Sequence, residues 1–511
     1  MNKTILKNTQ WNYFRILVRM VTGVFTFRML FQYLPDNSFG FWAFLWSILA
    51  WSVLMDLGMA LTVQKQVATA VVDKDWRKMN QVIASAFWIY CAIGCALVLI
   101  GWLIAHPFLS SMNVELADRG EFWKVFMIFV AGMAINFPAG IFPEILRGMQ
   151  KLDLQNRSVI VGSVLNLGFV WWGTHHNWSF SSIMLAAVAT LLGPNIWLIV
   201  VCKQQLPELN LGLRYLSREN LKPILSFSFQ AYLILLTYTL MTKTDQFFIG
   251  SILSLSAIAV YQPGAKLAEI FGALSRQLAD ALQPAAASLY AKGDPKAIQS
   301  LLLSGMRISV LLAAPMYLMF AAYTETVIGW ITGLKSIPES SFWTAQILCL
   351  WAFSLLITHN VFKRIAVMCG HERLLTRLGI IECILNLVLT IVLLKIWKRV
   401  EGAALATLIS TWFVGWGVLW RLAAREAGVS VWQLTHHVLV RNLFGVLPMI
   451  IYVITTHFLW PNRQEWVIWY SGLDMIFAML AGGIGIYFFA LSPEERIKID
   501  KRFGRTTTSP T

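Results

Sequence analysis

Gln262, Lys266, Glu269, Arg276 and Asp280 lie within one long apolar stretch of the sequence, residues 254–285. At about 100° of helical turn per residue they fall in a sector about 80° wide, and the other faces carry Ala, Leu, Ile and Phe. A helix that crosses lipid must turn such a stripe toward water or protein, because hydrocarbon does not accept it. These residue types suit anion binding. A guanidinium engages phosphate oxygens through two parallel hydrogen bonds, and an ammonium acts as a compact point charge. Lys266 lies about twelve residues from the outer end of the stretch and so near the membrane midplane. Arg276 and Asp280 lie closer to the cytoplasmic end. The alternative is local: Lys266–Glu269 and Arg276–Asp280, at i,i+3 and i,i+4, neutralise each other within the helix. Neutral pairs would still need burial in protein.

The first apolar stretch repeats the theme, since Asn12, Arg15, Arg19, Thr22 and Thr26 share one helical face and Arg28 points elsewhere. Arg15 is expected to reach the cytoplasmic interface, and Arg28 the outer one. Arg19 sits about 12 Å inside the helix start. In the stretch 223–250, Ser226, Gln230, Thr237, Thr244 and Asp245 form a milder polar face beside Lys243. The expected cationic cavity is therefore Arg15, Arg19, Arg28, Lys243, Lys266 and Arg276. Asp56, Asp245, Glu269 and Asp280 are the expected charge partners, or the groups that couple H+ or Na+ by competing for the basic residues. His359 and Glu382 complete the intramembrane set, with His359 read as a satisfied core residue. No catalytic residue, metal ligand or other cofactor is expected: the sequence has no phosphate-binding G-x-x-x-x-G-K-[ST], HExxH, GxSxG or Cys/His cluster.

The elements that hold these residues follow from composition. Of 511 residues 57% are hydrophobic and 13% charged, and mean hydropathy is +0.63. Apolar runs of about 20 residues or more, long enough to cross a hydrocarbon core of about 30 Å as helices, recur from end to end. About fourteen are discernible, near 11–34, 38–63, 80–105, 121–143, 157–176, 180–202, 223–250, 254–285, 304–327, 341–369, 374–396, 401–421, 442–461 and 465–491. They lack the period-two alternation of a membrane barrel. The fold class expected is an all-α integral membrane protein.

The net charge of +15 sets orientation and attracts anionic membrane lipids; it does not point to nucleic acid. About 28 of the 41 basic residues collect in alternate loops and the tail, which predicts both termini in the cytoplasm. Lys395, Lys398 and Arg399 depart from that pattern. The longer cytoplasmic links, 64–79, 203–222 and 422–441, are expected to form interfacial helices. The N-terminal stretch is not a cleavable signal, because Arg15 and Arg19 interrupt it. The six cysteines are expected to pack as apolar residues.

Two stretches match. "RSVIVGSVLNL" from Arg157 and "RLGIIECILNL" from Arg377 share Arg, Ile and Leu-Asn-Leu, and Phe142 and Ile145 stand to Phe362 and Ile365 at the same offset of about 220. Six runs separate the copies, so both cross in one direction. A parallel repeat predicts two pseudo-symmetric six-helix lobes, 1–222 and 223–426, with a shared site between them. An appended helix pair occupies 427–491, and 492–511 is expected to be a cytoplasmic tail.

"RMLFQYLPDNSFGFWAFLWSILAWSVLMDLGMALTVQKQVA" (28–68) resembles the opening signature of the polysaccharide-exporting, O-antigen-type flippases of the multidrug/oligosaccharidyl-lipid/polysaccharide (MOP) exporter superfamily. "DQFFIGSILSLSAIAVYQPGAKL" (245–267), "ALQPAAASLYAKGD" (281–294) and "EILRGMQKLDLQN" (144–156) resemble the same family, so the likeness covers nearly the whole chain. It implies a V-shaped, MATE-like pair of six-helix bundles plus two further helices. It also implies flipping of an undecaprenyl-pyrophosphate-linked oligosaccharide across a bacterial inner membrane. A lipid-linked anionic oligosaccharide and membrane lipids are the partners implied, with a polysaccharide polymerase and a chain-length regulator beside them. Lys266 and Glu269 stand where the family varies, so their role rests on periodicity alone.

Three other functions compete with this one. A multidrug or cation antiporter of the same fold would carry acids in its first lobe, whereas the first run carries Arg. A membrane polysaccharide polymerase or ligase would show a long outer loop with catalytic residues. A scaffold would have little use for a charged stripe through a bilayer.

Overall fold

The computed structural model describes residues 3–56, 59–112, 114–216, 229–280, 282–459, 468–493 and 495–497. Among them every regular element is helical and there is no strand. The chain is a multi-pass membrane protein. Eight helices of the described residues are long and apolar enough to cross a membrane, nine if Val431–Gly445 and Leu447–Leu459, bent by 42°, make one span. The sequence reading expected about fourteen. The first helix, Lys3–Tyr33, and the one at Leu255–Asp280 have 31 and 26 residues, long enough at about 1.5 Å per residue to span. The charged residues they carry keep them from standing out by apolarity.

Two compact units form, Met1–Ala259 with Ile331–Gly333, and Val260–Trp330 with Leu334–Thr511. In the first, α1 (Lys3–Tyr33) runs along α7 (Leu152–His175); α5 (Arg119–Ala139) packs between α4 (Trp76–Ser111) and α8 (Phe180–Gln205). The α4–α5 contact is close because Gly94 has no side chain; a Cβ there would meet the Ala134 carbonyl oxygen at 2.5 Å. α2 (Asp36–Met55) is followed by α3 (Met59–Asp73), which packs on the short α6 (Ile141–Gly148). Asp75 caps α4 by accepting the Lys78 N–H at 3.0 Å, and Ser179 caps α8 through the Ser182 N–H. α9 (Phe229–Lys243) and α10 (Asp245–Ile252) also pack on α2.

α11 (Leu255–Asp280) leads into the second unit, followed by α12 (Gln283–Ala291), α13 (Pro295–Ala322) and α14 (Thr324–Thr332). α15 (Glu339–Leu355) continues through a π turn, Leu356–Asn360, into α16 (Val361–Met368). α17 (Glu372–Trp397) packs on α18 (Glu401–Val414), which passes through a second π turn, Gly415–Leu419, into α19 (Trp420–Glu426). Helix α20 (Val431–Thr435) begins with a capping box between Ser430 and Gln433. α21 (Arg441–Gly445), α22 (Leu447–Leu459) and α23 (Ile468–Gly485) complete the unit.

The repeat read from the sequence is visible in the helix starts. α5, α6 and α7 begin at Arg119, Ile141 and Leu152, and α15, α16 and α17 begin about 220 positions on, at Glu339, Val361 and Glu372. The connecting turn is repeated too. Lys151 N–H donates to the Leu146 carbonyl at 2.9 Å and His371 N–H to the Ala366 carbonyl at 3.0 Å. Each closes over a left-handed residue, Gln150 at φ +59° and Gly370 at φ +84°, as a helix C-terminus of the Schellman type requires.

The final helices are fastened to α13 at two levels. Arg307, buried on α13, donates to both carboxylate oxygens of Glu495 at 2.8 and 2.9 Å and to the Ala490 carbonyl at 2.9 Å. Asn442 of α21 donates to the Arg307 carbonyl at 2.9 Å. Burial would raise the Glu495 carboxyl, but the Arg307 hydrogen bonds and the Ser492 N–H outweigh it and hold it at about 2. Farther along, Tyr323 of α13 and Tyr452 of α22 both donate to Asp474 of α23, at 2.7 and 2.8 Å. Residues at the head of the expected tail are thus anchored, and 498–511 lie outside the described residues.

Candidate functional site

In the first unit, α1 carries the expected arginines on a helix that packs along α7. Arg15 is half-buried and donates to Asn12 Oδ1 at 2.7 Å, one turn back. Arg19 and Arg147 lie close enough for their charges to repel it. Arg19 itself is exposed. Arg28 is far from both, about 20 Å along the helix from Arg15. It packs by the Gly333 turn, where a Cβ would meet its Cζ at 3.3 Å.

Asp56 ends α2. It accepts the Ala60 N–H at 3.2 Å and the Tyr90 hydroxyl from α4. Glu144 on α6 is within electrostatic range of both. Glu144 in turn accepts two hydrogen bonds from Arg147, at 2.8 and 3.1 Å, and Arg147 Nε donates to Gln155 Oε1 at 3.0 Å. The expectation of charge partners around Asp56 did not include Glu144, Arg147 or Tyr90. The signal was the segment "EILRGMQKLDLQN", whose Glu and Arg share one face at i,i+3. Lys243, half-buried, closes α9, and Asp245, buried, opens α10 two residues later.

On α11, Lys266 and Arg276 are half-buried and Glu269 is exposed. The Arg276 guanidinium folds back toward Gly272, 3.3 Å from where a Cβ would stand. Asp280 forms a 2.7 Å ion pair with Arg364 Nε of another helix, α16. Lys266 and Asp280 are about 21 Å apart along the helix axis and belong to different levels of the membrane.

The most deeply buried charges are elsewhere in the second unit. His359 stands in the π turn after α15, and Glu382 is on α17; each is 2% exposed. His359 Nε2 lies 3.0 Å from Glu382 Oε1 and 3.2 Å from Oε2, and Lys363 Nζ reaches Oε2 at 3.5 Å. Thr358 Oγ1 lies 2.7 Å from His359 Nδ1 and 2.8 Å from the Ser354 carbonyl oxygen. Gly415 leaves room for this turn, since a Cβ there would fall 2.5 Å from Thr358 Oγ1 and 2.9 Å from His359 Cε1. π turns recur at functional positions in helices. The repeat carried the missed signal: Glu382 occupies the place of Gly162, whose missing Cβ lets α7 meet Pro194 and the Thr190 carbonyl on α8. A glycine in one copy and a carboxylate in the other marks a change of use. Among the described residues no three His, Cys, Asp or Glu side chains converge as metal ligands.

Apolar helices in two units, each with buried ionisable groups, define a multi-pass membrane protein, and its fold is that of solved MOP superfamily members. The chain belongs to the family described as "Polysaccharide biosynthesis protein", whose model matches residues 30–338. Among solved structures it is similar to the lipid II flippase MurJ in an inward closed conformation, at 11% identity and TM-score 0.71, covering 94% of this chain and 97% of that one. It is also similar to an inward-facing multidrug resistance MATE family transporter, at 14% identity and TM-score 0.66, over 80% of this chain and 95% of that one. A MOP superfamily transporter from Pyrococcus furiosus aligns at 13% identity and TM-score 0.59, over 85% and 96%. No curated protein sequence is significantly similar to the chain.

Proposed function

We propose that this protein is a flippase that carries an undecaprenyl-pyrophosphate-linked oligosaccharide, a repeat unit of O-antigen, capsule or exopolysaccharide, from the cytoplasmic to the periplasmic leaflet of a bacterial inner membrane. It works by alternating access between lobes 1–222 and 223–426, with both termini cytoplasmic. The observation that carries this reading is the basic face of α1: Arg15 and Arg19 repel each other and Arg15 Nε is buried with no hydrogen-bond partner among the described residues, whereas the nearby Arg147 is already paired with Glu144. Like charges gathered in a membrane protein raise its free energy until an anion joins them, and a pyrophosphate supplies bidentate acceptors. Lys266, Arg276 and Lys243 extend the basic path, Arg28 receives the headgroup at the outer end, and the lipid tail stays in the bilayer. Asp56, Asp245, Glu269 and Asp280 balance these charges. A coupling H+ or Na+ must favour one state by several kcal/mol to move most of the population.

The test is translocation of a fluorescent undecaprenyl-pyrophosphate oligosaccharide in proteoliposomes by wild type, Arg19→Ala and Lys266→Ala at equal reconstitution. Transport by wild type and its loss in both variants is the expected result. Variants that match wild type remove these residues from the path. A wild type that moves nothing, with or without a pH or Na+ gradient, overturns the substrate class.

A further inference from the structure

His359, Glu382, Lys363 and Thr358 form a cluster whose hydrogen positions can be counted. Thr358 has one hydroxyl hydrogen and two neighbours at bonding distance, the Ser354 carbonyl at 2.8 Å and His359 Nδ1 at 2.7 Å. If the hydroxyl donates to the carbonyl, Nδ1 must carry a proton and donate to Thr358 Oγ1. His359 Nε2 faces only the Glu382 carboxylate, an acceptor, so it too carries a proton and the ring is an imidazolium. If the hydroxyl turns to donate to Nδ1, the ring is neutral and Nε2–H still donates to Glu382. The two arrangements differ by one proton and one hydroxyl rotation, with every heavy atom in place.

From this we infer that the cluster is a proton-binding site of the second unit, in which His359 takes up and gives up one proton at Nδ1 against a fixed Glu382 carboxylate. The charged groups that reach His359 are Glu382 on α17 and Lys363 on α16. The other elements packed on the π turn bring uncharged groups: Ser354 from α15, Val310 and Ala314 from α13, Thr411 from α18 and Gly415 at the second π turn. With Glu382 ionised and Lys363 charged, the neutral ring leaves the cluster without net charge, and the proton adds one positive charge to it. Lys363 is the partly exposed member, 28% against 2% for the other two, so the cluster opens to the protein surface along its side chain. The site stands on its own geometry; only its use in transport rests on the flippase reading.

The experiment is 15N NMR of the full-length protein in lipid nanodiscs with 15N-labelled histidine, titrated from about pH 4.5 to 9.5, where imidazole changes charge. The chain has eight histidines, and His359→Gln identifies the resonance of interest. The expected result is a His359 signal that passes between one-proton and two-proton forms within that range. Glu382→Gln should weaken its proton affinity at least about tenfold and Lys363→Gln should strengthen it, since one removes an anion and the other a cation. Opposite shifts cannot come from a shared folding defect. If Glu382→Gln does not fold, Lys363→Gln alone decides. A His359 ring that keeps one form throughout, or variants that leave its midpoint unchanged, overturns the proposal. In the proteoliposome assay, Glu382→Gln should abolish the response to a pH gradient. A wild type that transports nothing while His359 still titrates would strike the flippase reading and leave the proton site standing.

Discussion

Asn166 and Asn386 are counterparts in the two copies of the repeat, and each donates its side-chain amide at 3.0 Å to a threonine of the helix that follows, Thr190 and Thr407. The threonines are not themselves counterparts, since Thr407 lies about one turn earlier in its helix than the position matching Thr190. The asparagine bond has therefore been kept while the partner helix changed register. In a membrane interior such a bond ties helices together because lipid offers the amide nothing in exchange.

Replacing either asparagine by alanine should lower stability by about 0.5–2 kcal/mol. Asn386→Ala should be the larger loss, because Asn386 and Thr407 are both buried and Thr407 would be left without that donor. Thermal unfolding of the two variants in the same detergent measures the difference.

The turn after α16 gives a second comparison. Gly370 holds φ +84°, so Gly370→Ala should cost about 1–2 kcal/mol. At the matching place Gln150 already bears that conformation at φ +59°, and Gln150→Gly should be neutral or stabilising. Equal unfolding temperatures for wild type and Gly370→Ala would contradict this account.

Gly415 and Gly417 lie two residues apart in one π turn but meet different surroundings. A Cβ at 415 collides with Thr358 and His359, whereas one at 417 has nothing within 4 Å. Gly415→Ala should destabilise by about 1–3 kcal/mol, and Gly417→Ala by less than about 0.5 kcal/mol. Unfolding midpoints of the pair decide the matter.

The Arg307–Glu495 pair predicts a pH dependence. The Glu495 carboxyl is lowered from the ordinary carboxylate value to about 2, so its contribution is complete above the unfolded value and is lost as pH falls toward about 2. Glu495→Gln should therefore unfold at lower temperature than wild type at pH 7, and the gap should narrow below the ordinary carboxylate value of 4.5 and close only near about pH 2. A third of the Glu495 side chain is exposed, so solvent screening limits the difference to about 1–2 kcal/mol. A gap that persists unchanged at acid pH would mean that shape, not charge, fastens the last helix.

Much of the architecture was legible because lipid imposes long apolar runs, and the repeat was legible because five of eleven residues ending at Leu167 and Leu387 are identical, Asn166 and Asn386 among them. Composition also located α1 and α11 as the polar helices. The partners of their charges were not legible. Spacing pointed Asp280 one turn back to Arg276, and gave no sign of its ion pair with Arg364, far along the chain and brought near by α16. Helical spacing reports neighbours within a helix and is silent on those across one. His359 read as an ordinary core histidine because a lone imidazole in an apolar run usually is one. Its relation to Glu382 depends on a π turn and on an absent side chain at Gly415, neither of which has a strong sequence signal.

Those π turns have a consequence for how the second unit can be altered. Among the described residues four occur there, at Leu356–Asn360, Gly415–Leu419, His436–Val440 and Ile486–Ala490, and none in the first unit. Each holds one more residue than an α-helical turn of the same span, like a link of slack in a taut chain. Removing a single residue beside His359 would let the helix close to ordinary pitch without shortening it appreciably. The residues on either side would keep their facing, since the turn itself had absorbed the extra one, and only the turn's own side chains would be re-aimed. The facing of the imidazole is thus set by a count of residues, and the smallest deletion would unseat it while leaving the membrane span whole.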